Sequence, residues 1–414
     1  MAQPSRRSVL GLFGATSVAG GAALIAGRTA IADTGLADTS RDGAGRIPPG
    51  LRPGGELDRL IADKAAKDEF SGSVLLTHRG RTVLARSHGL ADRQRAVPNG
   101  PDTMFGLASV TKLFTAVAIA QLVQQGKVSY GEKLGAYVDG FPAPIANGAT
   151  VHHLLTHTSG FGDFHQLPGY LNAVPGWNTP AEVMSGTTDF IRKSEPAFPA
   201  GAGWLYSNSA YHLLGEIIAK ASGMSYYDYV RRHVFAAAGM TSTGFFTKPE
   251  WRANRRMAHP YRRDPKGLWT DTLGQFAYIG LPAGGASATC ADMDRFARAL
   301  WNAKLLDRGQ TELVLSGKQP MPTQGPPPGQ AANPSPDTPP AGGSRMTAFQ
   351  CYGPIGKLAD GKWSFEFGGG NTNGHATAIQ FFPQDDWVVV VLSNYANAAV
   401  QPIVATASRL ILAK

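Results

Sequence analysis

The period of the apolar positions changes along the chain. Apolar residues within 57–65 recur at helical spacing and predict a first helix. Two short β-prone runs, 73–78 and 82–88, are separated by an Arg-Gly-Arg turn and predict a hairpin. A helix is then predicted over 109–125, because its apolar side chains share faces and a glycine follows its last residue.

The second part of the chain reads mainly as helices and then returns to strands. Residues 130–280 predict helical pieces joined by loops that contain Gly and Pro, and the clearest helix covers 209–221. A further helix is predicted over 290–304, and a closing helix runs to the C-terminus. Three strands are predicted between these last two helices, at 363–367, 376–382 and 387–393. Strands at both ends imply one sheet built from distant parts, with a helical subdomain inserted at about 130–280.

A proline-rich insertion interrupts this pattern before the last strands. Nine prolines fall between positions 320 and 340. Proline fixes the backbone torsion and lacks an N–H donor, so the segment at about 318–345 predicts a mobile polyproline-type loop.

Composition is that of an ordinary soluble globular protein. Of the 414 residues, 43% are hydrophobic and 17% are charged, which excludes a disordered or fibrous chain. The formal net charge is +9, and no basic stripe interleaved with aromatic residues is present. A solvated basic surface is therefore expected, and nucleic acid is not expected as a partner.

The first 32 residues predict an export signal. Arg6 and Arg7 precede a weakly apolar, Ala- and Gly-rich stretch, which resembles a twin-arginine signal. Ala30-Ile31-Ala32 has the small-x-small form of a cleavage site, and 33–54 predicts a flexible lead-in. A membrane anchor is the less favoured alternative, because a membrane span needs about 20 strongly apolar residues. We expect the twin-arginine machinery as a partner, cleavage after Ala32, and a secreted or extracytoplasmic product without a stable membrane anchor.

Cysteine and histidine usage excludes several metal and redox sites. Cys290 and Cys351 form no CxxC pair, and the ten histidines form no H-x-H or HExxH motif. No metal and no cofactor are expected. The two cysteines either pair in an oxidising compartment or stay unpaired and buried, and the sequence leaves both open.

One S-x-x-K motif supplies a candidate nucleophile. Ser109 and Lys112 stand three residues apart at the start of a predicted helix, so their side chains share a face. The free N–H groups of the helix start add partial positive charge near the serine. A lysine whose charge is suppressed can remove the serine proton and activate it as a nucleophile. The alternative is a capping serine beside a surface lysine.

The surrounding residues strengthen the first interpretation. Segment 105–116 (FGLASVTKLFTA) resembles the active-site segment of the serine β-lactamase and penicillin-binding-protein superfamily, in its class C, D-alanyl-D-alanine carboxypeptidase and esterase branch. Three further segments, in the family's order, extend the resemblance over residues 55–414: 153–160 (HLLTHTSG), 204–215 (WLYSNSAYHLLG) and 283–289 (AGGASAT). The resemblance implies an α/β (α+β) fold with a mixed, mainly antiparallel sheet, flanked by helices, and an all-helical subdomain.

The second motif of that family, Y-x-N, occurs three times, at Tyr170, Tyr206 and Tyr395. Only Tyr206 follows a Pro-Ala-Gly-Ala-Gly loop and precedes an apolar helix. The resemblance therefore implies Tyr206 as general base or proton relay, and Asn208 as an amide that positions substrate or the lysine. A core aromatic is the alternative for Tyr206.

The third motif departs from the family. Where the family has Lys-Thr-Gly or His/Trp-x-Gly on an inner strand, this chain has Gly368-Gly369-Gly370, so Gly368 falls where Lys or His is expected. Gly370 allows close backbone approach to a substrate, and the N–H groups of Asn371 and the nucleophile would form an oxyanion hole. The register of this match is open by one residue. His375 nearby could replace the missing cation or lie on the surface.

The histidines of segment 153–160 suggest two other sites, which we reject. A triad through His157 and Ser159 lacks the Gly-x-Ser-x-Gly elbow, and a metal at His153 and His157 is less favoured than structural histidines.

The sequence thus predicts an exported serine hydrolase that acts through an acyl-enzyme on ester or amide bonds of a small molecule or peptide. An esterase is favoured. The alternatives are a D-alanyl-D-alanine carboxypeptidase or β-lactamase, or a catalytically silent cell-wall-peptide binding relative.

Overall fold

The computed structural model describes residues 47–321, 347–359, 361–371, 373–396 and 399–413. The predicted export signal at 1–32 and most of the proline-rich segment lie outside these ranges. The described residues belong to one compact unit.

Fourteen strands occur in the described ranges, most of them short. They are β1 Gly72–His78, β2 Arg81–His88, β3 Leu90–Asp92, β4 Val97–Pro98, β5 Phe105–Gly106, β6 Tyr261–Arg263, β7 Trp269–Asp271, β8 Ser287–Ala288, β9 Gln319–Pro320, β10 Thr347–Gln350, β11 Ile355–Ala359, β12 Lys362–Asn371, β13 His375–Phe382 and β14 Trp387–Ser393.

Thirteen α-helices occur in the same ranges. They are α1 Glu56–Ala66, α2 Lys112–Gln124, α3 Ala143–Gly148, α4 Val151–Leu155, α5 Tyr170–Ala173, α6 Pro180–Arg192, α7 Asn208–Ser222, α8 Tyr226–Val230, α9 Ala236–Ala238, α10 Lys248–Ala253, α11 Cys290–Trp301, α12 Arg308–Leu315 and α13 Val400–Leu412. The predicted helices and strands all recur, with ends shifted by a few residues.

A single eight-stranded sheet organises the fold. Its strand order is β2-β1-β14-β13-β12-β11-β10-β9, and every neighbouring pair is antiparallel. The N-terminal hairpin of β1 and β2 joins the C-terminal strands through β14, with Val74 opposite Val391. The sheet is therefore assembled from the two ends of the chain, as the pattern of apolar positions predicted.

Both faces of the central strands are covered by helices. Along β14, Val388, Val390 and Leu392 join the core that contains α2, α7 and α11. Val389 and Val391 join a second core with α1 and α13. Successive residues of a strand point to opposite faces, so a strand buried on both sides needs a continuous run of apolar residues. This explains why the Val-rich run of β14 lacks alternation with polar residues.

The predicted flexible lead-in at 33–54 is wrong for its last eight residues. Pro49–Leu51 forms a short 3₁₀ turn, and Leu51 is fully buried in the second core. A Cβ on Gly50 would lie 2.8 Å from the Leu410 side chain, so this segment packs closely on α13. The apolar contact with a helix from the far end of the chain orders a stretch whose composition predicted a loop.

The inserted segment at 130–280 is also not all helical. It carries α3 to α10 and then a small hairpin in which β6 pairs with β7. Of the insertion predicted at 318–345, only residues 318–321 are described, and Gln319 and Pro320 form β9 against β10.

The two cysteines are unpaired and buried. Cys290 opens α11, whereas Cys351 follows β10. Of the two alternatives left by the sequence, the structure therefore shows the unpaired one. In the described ranges, no helix combines the length and apolar character that a membrane crossing needs.

Candidate active site

The candidate nucleophile lies on a tight turn rather than in the first turn of an α-helix. Residues Ala108–Thr111 form a 3₁₀ helix that continues into α2 at Lys112. With three residues per turn, positions i and i+3 of a 3₁₀ helix are eclipsed, so this geometry aligns Ser109 with Lys112. Ala108 has φ +45°, a left-handed conformation that is strained for a residue with a Cβ. Local strain therefore directly precedes the serine.

Two side chains contact the hydroxyl of Ser109. The Lys112 Nζ lies 3.3 Å from Ser109 Oγ. The Tyr206 hydroxyl donates a hydrogen bond of 2.7 Å to the same oxygen. The structure thus brings together the three residues that the sequence singled out as a chemical unit, although Tyr206 is 97 residues away from the serine along the chain.

Lys112 is fully buried, and its amine is held by two further oxygens. The Nζ donates to Asn208 Oδ1 at 2.7 Å and to the Ala283 carbonyl at 2.6 Å. A neutral amine has two N–H groups and one lone pair. Two acceptor oxygens therefore satisfy its donors, and the lone pair is left for the Ser109 hydroxyl.

Burial lowers the pKa of Lys112 from 10.5 to about 7, and the attraction of the Asp163 carboxylate partly opposes this shift. Removal of water disfavours the charged ammonium, because the protein interior solvates it less well than water does. At neutral pH a large fraction of Lys112 is consequently the free amine, which can accept a proton.

The structure distinguishes the three Y-x-N copies. The Tyr170 hydroxyl bonds to Thr187, and the Tyr395 hydroxyl donates to Asp68. Only Tyr206 reaches the serine. Although 37% of its surface is exposed, desolvation by the surrounding protein raises its pKa to about 12.

Capping of α7 and a packed loop fix the position of Tyr206. The Ser207 side chain caps the helix by accepting from the Ala210 N–H at 2.8 Å, so Tyr206 and Asn208 flank the cap. The ring of His157 lies 4.7 Å from the Tyr206 ring, and its Nδ1 accepts from the Ser207 N–H. Burial and the nearby Lys112 hold the pKa of His157 well below its usual range. His157 is thus a neutral packing group behind Tyr206.

The glycine run of β12 passes beside the nucleophile. A Cβ built on Gly369 would lie 2.4 Å from the Leu107 carbonyl oxygen and 3.0 Å from the Ser109 nitrogen. Real Cβ atoms do not approach a backbone oxygen at the first of these distances. The close approach expected of Gly370 therefore falls on Gly369, because the latter faces the turn that carries Ser109.

The register of β12 moves the expected oxyanion donor by one residue. The Trp363 N–H points to the β13 side, where it donates to Gln384. N–H directions alternate along a strand, so the Asn371 N–H also points to β13, where Asn371 pairs with His375. The Gly370 N–H points to the other edge, which β11 leaves open beyond Glu366. The structure therefore favours Gly370 over Asn371 as the strand's donor.

The same alternation changes the interpretation of Gly368. A Cβ on Gly368 would come within 3.7 Å of the Gln401 side chain on α13, on the face of the sheet away from the nucleophile turn. Phe367 shares the face of Gly369 and belongs to the core around α2. A side chain at 368 would not point at Ser109, whereas the apolar Phe367 precedes Gly369 by two residues on the serine's face.

We expect Gly369→Ala to reduce kcat/KM by about 100-fold, because the new methyl group must displace the Leu107–Ser109 backbone. Gly368→Ala is the matched control on the same strand and should stay within about twofold, since its methyl group finds only ordinary contacts. Ester hydrolysis by the two variants measures the difference. Equal activities would show that Gly369 is not pressed against the turn.

His375 is buried rather than on the surface. Its ring lies 5.8 Å from Trp251 and 5.1 Å from Phe276, and burial lowers its pKa to about 4. It is therefore neutral at pH 7 and does not supply the missing cation. A cavity of about 200 Å³ lies beside it; its lining residues are Gly369, Gly370, His375, Ala376, Thr377, Val400 and Gln401.

No cluster of three or more His, Cys, Asp or Glu side chains with the arrangement of a metal site occurs in the ranges that the structure describes. Ser159, the other member of the rejected triad, is buried at 2% exposure.

Two groups of the site were missed by sequence reasoning. The Ala283 carbonyl belongs to a segment that carried the resemblance. Every residue has a backbone carbonyl, so the residue type does not indicate which one accepts from Lys112. The Asp163 carboxylate faces the side-chain amide of Asn208. It stands in no motif, and only the folded loop brings it to the site.

Several known proteins are similar to this chain. A family model described as Beta-lactamase matches residues 57–413. Penicillin-binding protein 4* of Bacillus subtilis (strain 168) is 30% identical over 284 residues, which are 63% of this chain and 58% of that protein. Esterase EstB of Burkholderia gladioli is 31% identical over 217 residues, which are 50% of this chain and 54% of EstB. The alignments thus span less than two thirds of the length of either relative.

Among solved structures, a penicillin-binding protein from Bacillus halodurans superimposes with a TM-score of 0.72 at 28% identity, covering 86% of this chain and 98% of that one. The predicted fold class and the resemblance stated from the motifs are both confirmed.

Proposed function

Because the chain belongs to the beta-lactamase family, we propose that it is a serine hydrolase that forms an acyl-enzyme on Ser109. The single observation that carries this proposal is the position of Ser109 Oγ, between the Lys112 amine at 3.3 Å and the Tyr206 hydroxyl at 2.7 Å. A serine held only for structure would not need a fully buried lysine whose charge is suppressed beside it.

Lys112 is the proposed general base. Its free amine accepts the Ser109 proton, while its own N–H groups stay bonded to Asn208 and Ala283. The Ser109 oxygen then attacks the carbonyl carbon of the substrate. Tyr206 is a poor base at neutral pH because its pKa is about 12. Of the two roles predicted for Tyr206, the proton relay is therefore favoured over the general base.

The developing negative charge needs donors near the nucleophile. We assign this role to the N–H groups of Ser109 and Gly370, because the open edge of β12 passes beside the serine. Collapse of the tetrahedral intermediate breaks the bond to the leaving group, which takes a proton from Tyr206, and Lys112 returns a proton to Tyr206. Water then hydrolyses the Ser109 ester with the same groups in reverse roles.

A neutral ester is the proposed substrate class. The apolar Phe367 lies on the serine's face of β12, where the family has a cation, and His375 is neutral at pH 7. A substrate carboxylate would find no cation there, and a charge-assisted contact contributes roughly 1.5–3 kcal/mol. Esters also need less protonation of the leaving group than amides do.

A substrate panel tests this proposal. We expect faster turnover of p-nitrophenyl esters of short acids than of a D-alanyl-D-alanine peptide or a chromogenic cephalosporin. Preference for the peptide over its C-terminal amide would favour the carboxypeptidase alternative, since only the peptide carries a carboxylate. Failure of a fluorophosphonate to label Ser109 in the folded protein would favour the silent binding relative.

The pH dependence of labelling follows from Lys112. Protonated Lys112 cannot accept the serine proton, so the labelling rate should fall about tenfold per pH unit below pH 7. This fall is the acid limb of the profile. Above pH 7 the rate should level off at a plateau. His157 and His375 do not produce this limb, because burial keeps the pKa of each below its usual value, at about 4 for His375. The rate constant of fluorophosphonate labelling from pH 5 to 9 measures the profile. A flat profile would rule out Lys112 as the base.

Export forms a separate part of the proposal and rests on the first 32 residues alone. We expect secreted protein to begin at Asp33, and Arg6→Lys with Arg7→Lys to retain the precursor inside the cell. N-terminal sequencing and cell fractionation check both statements. Secretion of the double variant at the normal level would point to a different route.

A further inference from the structure

We propose that Asp163 is a positioning residue for the base: through the amide of Asn208 it orients the Lys112 amine towards Ser109. The inference rests on the proposed function and adds to it a residue that no motif contains.

The loop after α4 holds Asp163 in a fixed place. Its carboxylate caps the 3₁₀ turn Phe164–Gln166 by accepting from the His165 N–H at 3.0 Å, and it bonds to the His165 ring at 2.8 Å. The preceding carbonyl, of Gly162, accepts from the Ser207 hydroxyl at 2.9 Å. The loop is thereby tied to the N-terminus of α7, where Asn208 is the first helical residue.

The amide of Asn208 connects the two charges. Its Oδ1 accepts from Lys112 at 2.7 Å, so its NH₂ end is the end that faces the Asp163 carboxylate. If the amide were flipped, its NH₂ group would face the Lys112 N–H groups, which are also donors. Its oxygen would face the Asp163 carboxylate, which is also an acceptor. Because Asp163 accepts only, it selects the orientation that presents an oxygen to Lys112. This leaves the amine's lone pair for Ser109.

The charge of Asp163 also acts on Lys112 directly. Its attraction raises the pKa of the buried amine, against the larger effect of burial. The other titratable groups around the amine are Tyr206 and Tyr211, whose rings lie 4.9 and 5.5 Å from Nζ, and His157. All three are neutral at pH 7, since burial raises the pKa of both tyrosines and lowers that of the histidine.

Two further groups face Asp163 itself. His165 is the hydrogen-bond partner of Asp163. Tyr170 interacts electrostatically with the Asp163 carboxylate, and it is neutral because burial raises the pKa of its hydroxyl. Among the groups facing Lys112, Asp163 is thus the charged one. Its position sets how far burial can lower the pKa of the amine, and a base works best when its pKa lies near the working pH.

The pH profile of fluorophosphonate labelling at Ser109 separates this role from a merely structural one. Asp163→Asn removes the charge and keeps the shape, so the acid limb should move to lower pH by about half a unit or more. Loss of the fixed amide orientation should also lower the plateau rate by about threefold to tenfold. Asp189→Asn, which removes an exposed carboxylate from α6, is the matched control and should leave both values unchanged.

A double-mutant cycle with Asn208→Ala tests the route through the amide. If Asp163 acts through Asn208, its effect on the plateau should largely vanish in the Asn208→Ala background. If Asp163→Asn does not fold, as judged by its melting curve, Asp163→Ser is used with the same expectations. His165→Gln keeps the Asp163 charge and should leave the limb in place.

Failure of the inference on Asp163 and failure of the proposed function give different results. A lowered plateau with an unmoved limb and additive effects would reduce Asp163 to a structural cap and overturn the inference. Wild-type protein that is folded but not labelled at Ser109 would instead overturn the proposed function.

Discussion

Replacement of Ser109 by alanine is expected to reduce kcat/KM for an activated ester by about 10⁴- to 10⁶-fold, the largest effect of any single substitution in this chain. The hydroxyl oxygen supplies the bond to the acyl group, and neither Lys112 nor Tyr206 can replace it. Stability should change little, because Ser109 is only partly buried and its removal leaves no large cavity.

Mass spectrometry of the intact protein provides the decisive measurement. After a slow ester substrate, the wild-type protein should carry one acyl group on Ser109, and the alanine variant should carry none. Ser159 serves as the control position, since Ser159→Ala should keep the adduct. An acyl group on another serine in the wild-type protein would contradict the assignment of the nucleophile.

Replacement of Lys112 by methionine is expected to produce the second largest loss, about 10²- to 10⁴-fold in kcat/KM, the range of general acid–base catalysis. Methionine keeps most of the buried volume but removes the amine, so the Ala283 carbonyl and the Asn208 amide lose a donor. The variant should also lose the acid limb near pH 7, because the titrating group is gone.

Lys220→Met is the matched control, since Lys220 lies exposed on α7 and its loss should not change the rate. The double variant of Ser109→Ala with Lys112→Met should be no slower than Ser109→Ala alone, because the two groups act as one unit. Additive losses would mean that Lys112 contributes to binding rather than to activation of the serine.

Much of the architecture could be predicted from local pattern. The run of β14 and the apolar spacing of α2 predicted these elements because a buried strand or helix must present apolar side chains at its own period. The S-x-x-K motif likewise placed Ser109 beside Lys112, since a separation of three residues in a helical turn is a local constraint.

Other elements depended on contacts that no local window contains. The 47–54 segment read as a flexible lead-in but is ordered by α13, which lies about 350 residues later in the chain. The β6–β7 hairpin appeared inside a segment predicted to be helical. The two cysteines could be judged unpaired only once their places in the fold were known.

By itself, then, the sequence determined the succession of helices and strands, the family resemblance and the Ser109, Lys112 and Tyr206 set. The tertiary structure decided the chemistry of that set. Burial by residues from α7 and the 283–289 segment lowers the pKa of Lys112 to about 7, and desolvation is a property of the folded surroundings rather than of the residue. Strand register decided which residues of β12 face the serine. Because N–H groups and side chains alternate along the strand, a shift of one residue assigns the oxyanion-hole N–H to Gly370 instead of Asn371, and it turns Gly368 away from the serine.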